Sequence, residues 1–138
     1  MTEIPYRHQK TSVSLINYNF VLVTYEGRKL LIGRVKESVE RLIQSKVKEL
    51  NCVAIALVVN PESVHLFVNS HPDLSPKTIM RQIKGFTSYT LRQQFPDLKK
   101  FSSVWSPSYL VSTGVIFPEM IQKYTESQIK EFASKSID

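Results

Sequence analysis

Ser63 and His65 stand two residues apart in the run Asn60-Pro61-Glu62-Ser63-Val64-His65-Leu66-Phe67-Val68, and Tyr124 and Gln128 stand four apart near the C-terminus. Residues i and i+2 of a strand share a face, and residues i and i+4 of a helix share a stripe. Two histidines at the first spacing could bind one divalent cation and leave open positions for a phosphate oxygen. Only His65 is present, with Ser63 where the pattern His-apolar-His would place the other imidazole. A tyrosine oxygen can attack phosphorus and keep the bond energy as a phosphotyrosine, so that a second strand is joined later without an external energy source. The two pairs together sketch a metal-dependent site for cutting a phosphodiester, with a gap at Ser63. The competing readings are a hydrogen-bonded structural histidine and an amphipathic helix whose tyrosine packs half-buried with its hydroxyl wet. His71 cannot replace the missing imidazole, because six residues of strand place it on the order of 20 Å from His65. Glu62 has the wrong parity and is expected on the opposite face.

The elements that must position these residues are legible as alternation and periodicity. Ser12 to Thr24 alternates apolar and polar side chains and reads as a first strand. After the basic turn Tyr25-Glu26-Gly27-Arg28-Lys29, apolar residues recur at helical spacing from about Gly33 to Leu50. Cys52 to Val59 is apolar on both faces and reads as a central buried strand, turned back by Asn60-Pro61-Glu62 into an antiparallel partner from Ser63 to Asn69. Ser75 as N-cap and Pro76 at the first helical position open a long helix ending near Phe95-Pro96. A fourth strand is predicted from about Trp105 to Val115, and a last helix over 118–134. The order βαββαβ plus a helix predicts an α+β, ferredoxin-like antiparallel sheet with two helices on one face. The first and third strands then lie side by side at its centre, and Asn17 or Asn19 neighbours Ser63 or His65. Residues 12–138 read as a single domain, preceded by a flexible arm over residues 1–11.

The chain has 138 residues, enough for one domain with a real core. With 18 Lys+Arg against 12 Asp+Glu, its formal charge of +6 favours polyanions, nucleic acid above all. Lys77, Arg81, Lys84, Ser88 and Arg92 recur at three- and four-residue steps on the second predicted helix, a stripe that suits phosphates or a solvated face. Arg28, Lys29, Lys99 and Lys100 widen that footprint. Phe101, Trp105 and Tyr109 could stack on bases or pack in the core. Cys52 stands alone, which points to a reduced, cytoplasmic setting with Cys52 as a small core residue. The apolar run from Cys52 to Val59 is far below the roughly 20 residues that span a bilayer, so no membrane role is expected.

Several blocks, in order, are similar to the small single-tyrosine HUH transposases of bacterial and archaeal insertion sequences. They are Asn17-Tyr18-Asn19-Phe20-Val21, Asn60 to Val68, Ser75-Pro76 with Lys84-Gly85, Phe95-Pro96-Asp97-Leu98-Lys99-Lys100, Trp105-Ser106-Pro107-Ser108-Tyr109-Leu110-Val111, and Tyr124-Thr125-Glu126-Ser127-Gln128. The resemblance extends from Ser12 to Gln128. It implies a ferredoxin-like domain that dimerises by joining its sheets, with a site shared between subunits and a role on single-stranded DNA in a prokaryotic cytoplasm. By that resemblance Tyr124 is the nucleophile that takes a 5′-phosphate, and Gln128 helps His65 hold Mg²⁺ or Mn²⁺. Arg28, Lys29, Lys77, Arg81, Lys84 and Arg92 are then expected to bind hairpin or single-stranded DNA at the element's ends. Two departures stand out: Ser63 occupies the family's first metal-histidine position, and Asn19 a first-strand position that often holds histidine. A serine hydroxyl is a weak ligand for a hard cation, so metal binding and the cleavage that depends on it should both weaken. The alternative is a non-catalytic hairpin or single-stranded nucleic-acid-binding relative, and a third reading is a ferredoxin-like regulatory domain with no nucleic acid.

Overall fold

Between Ile16 and Val23 the side chains of Tyr18, Phe20 and Leu22 fall on one side of an extended chain and those of Asn17, Asn19, Val21 and Val23 on the other. The structure, a computed structural model, describes Arg7–His8, Val13–Ser14 and residues 16–135. Two short strands, β1 (Arg7–His8) and β2 (Val13–Ser14), pair antiparallel. They are followed by β3 (Ile16–Val23), α1 (Gly33–Glu49), β4 (Val53–Val59), β5 (Ser63–Ser70), α2 (Pro76–Gln94), β6 (Leu110–Ser112) and α3 (Pro118–Lys135). The remainder of the arm expected over residues 1–11 lies outside the described residues.

β4, β5, β3 and β6 form one antiparallel sheet in the order β4-β5-β3-β6. This is the ferredoxin-like βαββαβ arrangement with an added C-terminal helix, and β3 and β5 are its central pair. On one face Phe20, Leu22, Val64, Leu66 and Val68 are fully buried, as are Val39 and Ile43 of α1 and Ile79, Met80, Ile83 and Leu91 of α2. Each such side chain contributes about 1.5–3 kcal/mol by leaving water, so this layer supplies most of the stability of the sheet. Ser75 caps α2 by accepting from the Thr78 N–H at 3.1 Å, and Pro76 follows at the first turn.

Two expectations need correction. β4 is an edge strand, with Val53 46% and Val58 50% exposed. Its register shifts between Ala54 and Ala56, so a bulge at Ile55 breaks the alternation that would have separated its two faces. The fourth strand is also shorter than 105–115: β6 holds three residues, and Trp105 makes an isolated bridge with Thr24.

Candidate functional site

The sheet face opposite α1 and α2 carries Asn17, Asn19, Val21 and Val23 of β3 beside Ser63, His65, Phe67 and Asn69 of β5, as the pairs Val23↔Ser63 and Val21↔His65 require. Asn19 lies one diagonal step from His65, and His65 Nε2 meets Asn19 Oδ1 at 2.9 Å. The expected neighbourhood of Asn19 and His65 is therefore realised as a direct bond. Burial holds the His65 imidazole below its ordinary pKa, so it is neutral at pH 7, as a metal ligand must be. Ser63 is buried, and its hydroxyl accepts from Asn60 Nδ2 at 3.4 Å.

Above this face α3 closes a cavity of about 680 Å³, lined among others by Lys29, Val58, Ser63, His65, Gln122 and Glu126. Glu62 also lines it, contrary to the parity argument, because it lies in the turn before β5 and not within the strand. The helix is seated on the turn after β3: Gly27 has φ +67°, and a Cβ there would stand 2.3 Å from Ile129 Cγ1. A side chain at position 27 would lift α3, so the glycine permits the close approach.

Tyr124 and Gln128 sit on an adjoining side of α3 and meet at Ser108. The Ser108 hydroxyl lies 3.0 Å from Tyr124 Oη and donates to Gln128 Oε1 at 2.9 Å. Because that hydroxyl has one proton and a carboxamide oxygen only accepts, the phenol is the donor in the first bond. Tyr124 is half-buried and Gln128 is buried. Burial raises the Tyr124 pKa, the Ser108 bond pulls it down, and the Glu131 carboxylate raises it further. The cavity lined by Ser63 and His65 takes Ile121, Gln122, Thr125, Glu126 and Ile129 from α3, but neither Tyr124 nor Gln128. One chain thus brings Ser63 and His65 together, and Tyr124 and Gln128 together, but His65 with Gln128 and Tyr124 in one pocket it does not.

Sequence reasoning missed Ser108 as a site residue. The signal was the Ser106-Pro107-Ser108 turn within one of the matched blocks, whose contacts are made by residues far away in the chain. Lys84 Nζ donates to the carbonyls of Ser106 at 2.8 Å and Ser108 at 3.5 Å. Val104 N–H donates to Ser88 Oγ, Trp105 Nε1 to Thr87 Oγ1 and Ser106 N–H to the Val23 carbonyl.

The basic stripe is divided by these contacts. Lys77 and Arg81 are exposed, whereas Lys84 is spent on backbone carbonyls and Ser88 is buried. Arg92 is half-buried, with its Nε bonded to no group among the described residues. Lys29 lines the cavity, and Arg28 lies 3.4 Å from Glu26 with its guanidinium over Phe101. Trp105 and Phe101 are buried, and Tyr109 meets Phe20 edge to face with ring centres 6.2 Å apart, so these aromatics serve the core and its border.

Among the described residues no group of three or more His, Cys, Asp or Glu side chains is placed to hold a metal ion. His65 Nε2–H donates to Asn19 Oδ1, because a carboxamide oxygen only accepts, so the imidazole lone pair lies at Nδ1; Nε2 and Oδ1 would both face a hard divalent ion only with that bond opened and the tautomer exchanged.

Comparison with known proteins agrees with this architecture. Transposases of insertion sequence IS200 from Salmonella typhimurium and Salmonella typhi are each 24% identical over 117 residues, covering 83% of this chain and 77% of theirs. A crystal structure from Deinococcus radiodurans R1, assigned as a transposase, superposes with a TM-score of 0.82 at 24% identity, over 88% of this chain and 97% of that one. A REP-associated tyrosine transposase bound to a REP hairpin gives 0.58 at 14% identity, over 88% and 67%. At these identities the structural likeness is one of fold. Residues 12–128 match the family described as transposase, IS200-like, and the chain belongs to that family of tyrosine-dependent DNA strand transferases.

Proposed function

We propose that this chain binds hairpin or single-stranded DNA at insertion-sequence ends and cleaves and rejoins strands through a 5′-phosphotyrosine at Tyr124. One observation carries the reading: the His65–Asn19 pair lies on the open sheet face beneath the same helix that presents Tyr124 and Gln128. In the cleavage step Tyr124 Oη attacks phosphorus as the bond to the 3′-oxygen breaks, and the phenolic proton ends on the released 3′-hydroxyl. The strand is rejoined by the reverse displacement, with a 3′-hydroxyl as nucleophile. Mg²⁺ or Mn²⁺ held by His65, Asn19 and Gln128 would supply charge neutralisation at the scissile phosphate. Ser63 adds at most a weak oxygen donor there. Lys29, Lys77, Arg81 and Arg92 hold phosphates, with Arg28 in the turn beside them.

The separation of His65 from Tyr124 and Gln128 supports a homodimer in which each site draws on two chains. The outer edge of β4, which has no strand partner among the described residues, together with the exposed Val53 and Val58, supports joining of the sheets. Residues 12–138 act as one domain in this assembly, on DNA in a prokaryotic cytoplasm. Incubating the protein with element-end hairpin DNA and Mg²⁺ or Mn²⁺ should give a covalent adduct that Tyr124→Phe abolishes. Absence of an adduct with every element-end DNA removes the enzyme claim.

Ser63 favours a second reading, a binder of hairpin or single-stranded nucleic acid that has lost catalysis. If cleavage appears only in Ser63→His, the natural chain is that binder.

A further inference from the structure

The contact between Ser108 and α3 has no assigned purpose, and the loop that carries it is held more firmly than an exposed surface loop requires. Between Ser103 and Ser108 the backbone is tied to α2 through Ser88 and Lys84 and to β3 through the Val23 carbonyl, and the Trp105 indole donates to Thr87 of α2. The outermost tie is the Lys84 ammonium, whose charge is shared by the carbonyls of Ser106 and Ser108. A charged donor on a carbonyl holds more strongly than a neutral one, so the short bond fixes the Ser106 carbonyl, two residues before Ser108, and the longer one reaches Ser108 itself. Its side chain then meets two groups at once, Tyr124 Oη at 3.0 Å and Gln128 Oε1 at 2.9 Å. Two oxygens bonded to one hydroxyl are themselves within about 6 Å of each other. That is the reach of a single phosphate and its counterion.

We propose that Ser108 is a positioning residue that converges Tyr124 and Gln128, and that Lys84 acts as its anchor and not as a phosphate contact. The inference rests on the functional reading above, because it concerns the same nucleophile. It adds two residues and moves Lys84 from the DNA interface to the support of the site. Lys84, whose pKa burial lowers, reaches the Ser108 carbonyl from α2, and the Glu131 carboxylate acts on the Tyr124 phenol from α3.

The test uses the full chain labelled with 3-fluorotyrosine, the fluorine resonance of position 124 being assigned by its loss in Tyr124→Phe. Ser108→Ala and Lys84→Met should each shift that resonance, and Ser108→Thr, which keeps the hydroxyl, should restore it. With hairpin DNA and Mn²⁺, adduct formation at saturating DNA should fall about tenfold in both variants, the loss expected of one hydrogen bond. DNA affinity and its salt dependence should stay unchanged in Lys84→Met, whereas loss of a true phosphate contact, as in Arg81→Ala, lowers the salt slope by about one. An unmoved resonance in Ser108→Ala overturns the inference, as does a weakened salt slope in Lys84→Met. A faster adduct in Ser108→Ala would mark the contact as a restraint and overturn it equally. Should the wild type give no adduct while the resonance still moves, the strand-transfer reading fails and the positioning role stands. Ser108 is exposed, so Ser108→Ala carries the test even if Lys84→Met does not fold.

Discussion

Replacing Gly27 by alanine should loosen α3 while leaving the sheet intact. The residue has φ +67°, where an L side chain costs about 1–2 kcal/mol. The new methyl would also stand 2.3 Å from Ile129 Cγ1 and 2.8 Å from Ile129 Cδ1, against the 3.5–4.0 Å of an ordinary carbon contact. Relief requires α3 to move by more than 1 Å or Ile129 to leave its rotamer, which by overpacking costs about 1–3 kcal/mol more. The sum, about 2–5 kcal/mol, falls on a helix that has Ser108 and the Gly27 turn among its few seats. Hydrogen exchange should therefore show α3 amides losing protection by a factor of about 30 or more, with β3 and β5 protected as before. Removing the obstacle in Gly27→Ala/Ile129→Ala should recover the packing part and leave the backbone part, a coupling of about 1–3 kcal/mol in a double-mutant cycle. Unchanged α3 protection in Gly27→Ala, or strictly additive effects, would refute the claim that this glycine seats the helix.

Because burial and Glu131 outweigh the Ser108 bond, the Tyr124 phenol stays protonated at neutral pH. Adduct formation should then rise about tenfold per unit from pH 7 to 9 and show no plateau below about pH 10, read from initial rates on gels. Burial lowers the folded pKa of His65 below its unfolded value of about 6.5, so the unfolded chain binds the extra proton first. The stability tied to this group is complete above pH 6.5 and declines as pH falls through the folded pKa. Urea midpoints at pH 7.5 and 5.5 should differ more in the wild type than in His65→Ala. Leu66→Ala, at a fully buried position on the β5 core face, should cost about 2–5 kcal/mol in the same assay.

The central pair and the three helices were legible because their signals are local. Asn17 to Leu22 alternates, Ser75-Pro76 starts a helix, and Asn60-Pro61-Glu62 turns a hairpin. That Asn17 or Asn19 would neighbour Ser63 or His65 followed from topology, since β3 and β5 must adjoin in a βαββαβ sheet; which pair bonds, Asn19 with His65, did not. What escaped depends on contacts remote in the chain. Val53 to Val59 reads as a buried strand because all seven residues are apolar, and nothing in that run announces the bulge at Ile55 or the open edge. Lys84, Ser88 and Trp105 look like a phosphate stripe and a stacking ring until the 103–108 loop is laid across α2. A lysine that satisfies backbone carbonyls and one that awaits a phosphate have the same sequence signature. The placement of Tyr124 relative to His65 was not legible either, because i,i+4 spacing fixes a stripe on a helix but not the direction in which it faces.

That direction supplies the sharpest test of a shared site. Ile121, on the same stripe of α3 as Tyr124 and Gln128, lines the cavity together with Gln122, Thr125 and Ile129, whereas Tyr124 and Gln128 are turned to Ser108 at its border. Either the helix is reseated on its own sheet, or Tyr124 and Gln128 serve the imidazole of a second copy. Mixing Tyr124→Phe with His65→Ala separates these routes. If each site takes its histidine and tyrosine from one chain, every site in a mixed dimer carries one lesion and the mixture is dead. If the site is shared, each mixed dimer holds one doubly intact site and one doubly damaged one. Random exchange at equal amounts makes half the dimers mixed, so activity should return to about a quarter of wild type. Two inactive proteins that remain inactive after exchange, with mixing verified by differently tagged chains, would place the whole reaction within one subunit.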